Sequence, residues 1–170
     1  MDRKFYATKI AIIIAIGGFT LGHWIVAISG AVPFLREHFQ MSEFLVGWVV
    51  SSLALGCMAG FLTAGFLSDR FGRKNALLVT AFVLSVGGVL CAIADSVIFL
   101  FVARIIGAIA LGWGFVIAPM YISEIAPTER RGSLGMINQV AIMIGLSAAY
   151  FINLGVLHLF NAHQWPDQWR

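Results

Sequence analysis

The stretch Gly65-Phe66-Leu67-Ser68-Asp69-Arg70-Phe71-Gly72-Arg73-Lys74 sets four charged side chains between two long apolar runs. The flanking runs, residues 44–67 and 75–94, carry no charge at all. An apolar run of about 18 or more residues with almost no charge is the signature of a helix that crosses a bilayer, whose hydrocarbon core is roughly 30 Å thick. Three further runs, residues 9–35, 97–121 and 133–157, are long enough to do the same. Lipid leaves open backbone groups unpaired, and the alternation of barrel strands is missing. The expected fold is therefore an all-α membrane protein with five transmembrane helices joined by short connections.

Composition agrees with that reading. Of 170 residues, 60% are hydrophobic and 11% charged, and the mean hydropathy is +0.92. An average soluble domain is about a quarter charged, so this chain has too few charges to coat a globule. Cys57 and Cys91 lie deep in different runs with no disulfide or metal spacing, and read as packing residues. The first run is too long for a signal peptide's apolar region and lacks a small-residue cleavage site, so it reads as a retained span. No nucleophile and base pair, metal-ligand cluster or phosphate-binding glycine loop is present, which sets a soluble enzyme aside. No cofactor and no nucleic-acid partner are expected.

The net charge is +3, and the distribution of the charges fixes a direction. With the N-terminus in the cytoplasm, Arg3, Lys4, Lys9, Arg70, Arg73, Lys74, Arg130 and Arg131 fall inside. Only Arg36 and Arg170 fall outside, and Arg104 lies within a span. Cytoplasmic loops carry an excess of Lys and Arg, so an N-terminus in the cytoplasm of a multi-pass inner or plasma membrane protein is expected. Small residues recur in steps of four: Gly18 and Gly22; Ser52, Gly56, Gly60 and Ala64; Ala110, Gly114 and Ala118. Such ridges let helices approach closely.

Within the charged stretch, the positive-inside rule explains Arg70, Arg73 and Lys74, and a helix stop explains Gly72. Asp69 needs another reason, since a carboxylate at the C-terminal end of a helix meets the negative pole of that helix's dipole. Asp69 implies a positive partner. Here the chain resembles the major facilitator superfamily, whose loop between the second and third helices reads G-x-x-x-D-R-x-G-R-K, matched from Gly65 to Lys74 at every specified position. The resemblance implies that Asp69, Arg70 and Arg73 belong to a conformational latch, with the acidic residue meeting a helix of the transporter's other half.

A second constellation narrows the resemblance. Arg104-Ile-Ile-Gly-Ala-Ile-Ala-Leu-Gly112 and Pro119-Met-Tyr-Ile-Ser-Glu-Ile-Ala-Pro-Thr-Glu-Arg-Arg-Gly132 are similar to the sugar porter patterns R-x-x-G-x-x-G-x-G and P-x-Y-x-x-E-x-x-P-x-x-x-R-G, with Ala110 in place of one glycine. By that resemblance Glu124, Arg73 and Arg131, next to Gly132, form a gating network of ion pairs at the cytoplasmic end. The other reading of these charges is ordinary loop solvation.

Six residues carry the expected chemistry of the interior. Arg104 costs at least about 2.5 kcal/mol at a bilayer centre, so it should face a water-filled cavity or a counter-charge, unless it snorkels from a helix end. In proton-coupled sugar porters this arginine works with a first-helix aspartate in the pattern G-x-D-x-G-V-I-S-G. The matching stretch here, Gly22 to Gly30, has Trp24 in the acid's place. His23 is then the only group within that run that titrates near neutral pH, able to carry a proton or simply to hydrogen-bond a neighbour. Gln139 matches a fifth-helix glutamine that contacts sugar hydroxyls, a task suited to an amide that both donates and accepts. Asn138 and Gln139 would serve equally as interhelical hydrogen-bonding groups, and Trp24 and Phe19 offer apolar surface for a sugar face or for packing.

A sugar porter has two six-helix halves, each a pair of inverted three-helix repeats. The chain reaches Trp169-Arg170, a pair that in the family precedes the sixth helix, so residues 1–170 read as a truncated N-terminal half. The expected partners are a sugar-like small molecule, the lipid bilayer, and a C-terminal half supplied by a longer protein or a partner chain. The expected function is transport of a small polar metabolite by alternating access. The alternative is a transport-incompetent remnant or a membrane interaction subunit.

Overall fold

A computed structural model describes residues 3–163, and Trp169-Arg170 lies outside the described residues. Five long helices account for nearly all of it: α1 (Arg3–His38), α2 (Glu43–Phe71), α3 (Arg73–Ala92), α4 (Val97–Ile125) and α5 (Arg131–His163). A single 3-10 turn, Thr128–Arg130, joins α4 to α5. Each long helix is apolar and long enough to cross a membrane, and no strand occurs among the described residues.

The charged stretch is not a loop. α2 continues through Ser68, Asp69, Arg70 and Phe71, Gly72 stands alone, and Arg73 opens α3. One residue suffices because Gly72 takes φ 75° and ψ 155°, a conformation that a side chain would strain and glycine does not. The chain reverses there while the backbone groups on both sides stay in helix. α1 begins and α4 and α5 end beyond the 9–35, 97–121 and 133–157 limits for a related reason: apolar content measures the hydrocarbon thickness, and a helix runs on past it into its polar ends. α3 instead stops at Ala92, two residues short of its apolar run. At the opposite end Ser42 and Ser96 cap α2 and α4, each hydroxyl accepting from the backbone N–H three residues on, and Arg36 pairs with Glu43.

α4 is the central element. It packs on α2 and α3, while α1 packs chiefly on α5 and crosses α4. The small-residue ridges lie in these crossings, with Ser52, Gly56, Gly60 and Ala64 all buried on α2. A Cβ added at Gly60 would stand 2.3 Å from the Ile109 carbonyl oxygen, so α2 and α4 touch backbone to backbone. The outer faces are apolar and exposed, with Leu62 81% and Ile98 79% accessible, as suits a lipid solvent.

A bond between side chains near the middle of that α2–α4 contact joins Trp113 Nε1, the donor, to Thr63 Oγ1 at 2.8 Å. Interhelical hydrogen bonds in bilayers average about 0.6 kcal/mol, because the separated helices also find partners. Thr63→Val, which keeps the side-chain shape, is expected to cost about that much in detergent unfolding titrations, and Trp113 in that variant should add no further loss through its N–H.

Candidate functional site

The ends of α2 and α4 meet the starts of α3 and α5 at one pole of the bundle, and Arg73 organises it. As the first residue of α3 it lies one turn beyond Asp69 and beside the last turn of α4. Its Nη1 donates to Asp69 Oδ1 at 2.8 Å and to the buried Ser68 hydroxyl, and its Nε donates to Glu124 Oε1 at 2.9 Å. A guanidinium presents several donors in a fixed fork, which lets one side chain bind two carboxylates and a hydroxyl at once. The positive partner that Asp69 requires is therefore in this chain. It does not have to come from another half, because the Gly72 reversal returns the next cation to within one turn.

Arg131 is not in this cluster. Its Nε donates to the Ala126 carbonyl at 3.3 Å, occupying an acceptor left free where α4 ends. Arg70 lies over the rings of Phe66 and Phe71, at 5.8 and 5.9 Å. Gly65 and Gly132 have open space around them, so close packing does not explain either glycine. Lys74 borders a groove of about 450 Å³ between α1 and α3 whose walls, Ile13, Leu78 and Leu84 among them, are apolar. Ser68 was not singled out by sequence because it fills an unspecified position of the motif. Its place on the buried small-residue ridge of α2 was the available signal.

Arg73 holds both carboxylates together, so its removal leaves Asp69 and Glu124 without the cation they share. Arg73→Gln and Glu124→Gln are expected to be non-additive in a double-mutant cycle of thermal unfolding, and the coupling should vanish in 1 M salt, where screening acts within about 3 Å.

Arg104 lies in the interior of the bundle, only 4% exposed. Its Nε donates to the Val49 carbonyl and the Ser52 hydroxyl, both at 3.2 Å, and its guanidinium lies 5.6 Å from the Trp24 ring centre. Arg104 does not snorkel; it is turned into the α2 crossing. Of the two expected surroundings, a cavity or a counter-charge, no counter-charge is found among the described residues, and neutral groups hold the guanidinium: a carbonyl, a hydroxyl and an indole face. Gly107 makes the stacking possible, since a Cβ there would stand 2.3 Å from Trp24 Cζ2. A cavity of about 250 Å³ borders Arg104, Trp24, His23 and Cys91. The Nδ1 atom of His23 is buried without a hydrogen-bond partner, as is Arg104 Nη2.

On α5 the adjacent amides part company. Asn138 is buried against α1, where a Cβ at Gly18 would stand 2.5 Å from its Oδ1, and that oxygen has no partner. Gln139 is exposed. The hydrogen bond between α5 and α1 is made instead by Asn153, whose Nδ2 donates to the Val26 carbonyl at 3.3 Å. Sequence reading passed over Asn153, though a lone amide in an apolar span was its signal. The four proposed substrate residues are thus not gathered in one place: Trp24 stacks on Arg104, Asn138 is enclosed, and Phe19 and Gln139 are exposed.

Comparison with known proteins is consistent with this architecture. The family model described as sugar (and other) transporter matches residues 10–170. An arabinose-proton symporter of Bacillus subtilis (strain 168) is 40% identical over 141 residues, which is 83% of this chain and 30% of the symporter. The plastidic glucose transporter 4 of Arabidopsis thaliana is 40% identical over 141 residues, 82% of this chain and 26% of its own length. Among solved structures, the inward open xylose transporter XylE from E. coli superposes with a TM-score of 0.84 at 30% identity, covering 96% of this chain and 44% of that one. The chain spans about a third of the length of the curated relatives it matches.

Proposed function

We propose, from the premise that this chain belongs to the sugar transporter family of multi-pass membrane proteins, that it supplies the N-terminal part of a transporter carrying a small neutral sugar by alternating access. Family members are transporters and not enzymes, and the relatives are named for arabinose, glucose and xylose. The observation that carries the reading is Gln139. It is an exposed amide inside an apolar span, about two turns from the start of α5, and polar side chains within a span face a water-filled path or a protein partner in preference to lipid. An amide pairs with sugar hydroxyls as both donor and acceptor. Phe19, also exposed, offers a sugar face its apolar side. Asn138, enclosed at the α1 crossing, holds the crossing and leaves substrate contact to Gln139.

In this reading the N-terminus is cytoplasmic and the Ser68, Asp69, Arg73 and Glu124 cluster is the inner latch. Exposed ion pairs are individually weak, which suits a contact that must open in every cycle. Trp24 in the acid's place leaves Arg104 without the carboxylate on which proton coupling through that pair depends. The C-terminal half of the pathway comes from a longer translation product or a partner chain.

Counterflow of labelled arabinose, xylose and glucose into proteoliposomes holding the complete translated protein tests the proposal. Saturable counterflow of at least one sugar, lost in Gln139→Leu, is expected. Absence of counterflow for every neutral sugar contradicts it.

A further inference from the structure

A buried cation demands a compensating negative charge, and Arg104 has none among the groups around it. Taking an ion out of water costs several kcal/mol even after relaxation, and the Val49 carbonyl, the Ser52 hydroxyl and the Trp24 ring return dipoles and a quadrupole only. Arg104 Nη2 and His23 Nδ1 are both buried and unpartnered. The side chains that carry them border the same cavity of about 250 Å³ between α1, α3 and α4. Its other walls are Trp24, Ala27, Ile28, Cys91 and neighbouring apolar groups, and no carboxylate lines it.

We propose that this cavity is a binding site for a small monovalent inorganic anion, chloride in the cell, held by the Arg104 guanidinium and the His23 imidazole. The charge is set by the single fixed cation. A dianion would leave one charge unanswered against apolar walls, and a neutral molecule would leave the guanidinium uncompensated. The imidazole contributes a ring N–H, since a neutral imidazole carries one donor. Trp24 covers one face of the guanidinium, which lies 5.6 Å from the ring centre. The cavity exceeds the volume of one bare ion, so the anion enters with part of its hydration.

The test is the unfolding midpoint of the purified chain in detergent, titrated with sodium chloride against sodium gluconate at constant ionic strength. A ligand that binds only the folded state raises stability with a logarithmic, saturable dependence on concentration. The expected result is a saturable rise of a few degrees in chloride and in bromide, and none in gluconate. Trp24→Asp, which brings a carboxylate to the guanidinium, should abolish that dependence. If that variant does not fold, His23→Phe replaces it, with an apparent chloride affinity at least several-fold weaker. Equal midpoints in chloride and gluconate overturn the proposal and leave water as the occupant. A chloride effect of the same size in Trp24→Asp, or an unchanged affinity in His23→Phe, also overturns it by placing the ion elsewhere.

Discussion

Gly22→Ala is expected to unseat α5 from α1. A Cβ at Gly22 would lie 2.0 Å from the Ile142 carbonyl oxygen and 3.0 Å from the Leu146 nitrogen, so the added methyl meets backbone on the partner helix and no flexible side chain that could swing away. The contact is reciprocal, for a Cβ at Gly145 would lie 2.0 Å from the Phe19 carbonyl oxygen. Overpacking by a methylene or two ordinarily costs about 1–3 kcal/mol when side chains can adjust. Here two backbones must separate, so a loss above about 3 kcal/mol is expected from the same principle. The Asn153 to Val26 hydrogen bond further along the crossing should be lost with it. Gly17→Ala is the control. A Cβ there meets nothing within 4 Å, so replacing a mid-helix glycine should stabilise the chain by roughly 0.5–1 kcal/mol. Titration with a denaturing detergent, followed by circular dichroism, measures both signs in one experiment.

Gly72→Ala should fail for a different physical reason. A Cβ at Gly72 has open space, and the penalty lies in φ 75° with ψ 155°, a region that is almost exclusively glycine's. A residue forced there costs about 1–3 kcal/mol. If the backbone relaxes to avoid the strain, Arg73 rotates away from its three partners, and the coupling between Arg73 and Glu124 disappears from the double-mutant cycle. Gly65→Ala, a helical position with open space, should raise stability by roughly 0.5–1 kcal/mol, as at Gly17, and leave the coupling intact. A Gly72→Ala chain as stable and as strongly coupled as the parent would remove the account of the reversal.

How much of this was legible in the sequence depends on which force decides each feature. The five spans were readable because hydrocarbon thickness is a one-dimensional constraint written directly in run lengths. The charged stretch was legible as a motif but not as helix, since apolar content stops at Leu67 while backbone hydrogen bonding carries on to Phe71. That Asp69 needed a cation followed from the helix dipole. That Arg73 supplies it depends on one φ angle at Gly72, which composition does not encode. Arg104 was marked by its cost in lipid, but its neutral surroundings, Val49, Ser52 and Trp24, come from three residues far apart in the chain. Asn138 and Gln139 were indistinguishable as a pair of amides. On a helix they point about 100° apart, so one is enclosed against Gly18 and the other is exposed, and which is which depends on the face α5 turns to α1.

The central claim is that Gln139 faces the sugar path. It is tested most directly by thiol labelling of Gln139→Cys in a background where Cys57 and Cys91 are replaced by Ala, with a small hydrophilic methanethiosulfonate applied to the protein in membranes. The account predicts rapid labelling that slows several-fold in the presence of the transported sugar and is unchanged by a non-transported one. A position that stays unlabelled, or that labels at the same rate with and without every sugar tested, would contradict it.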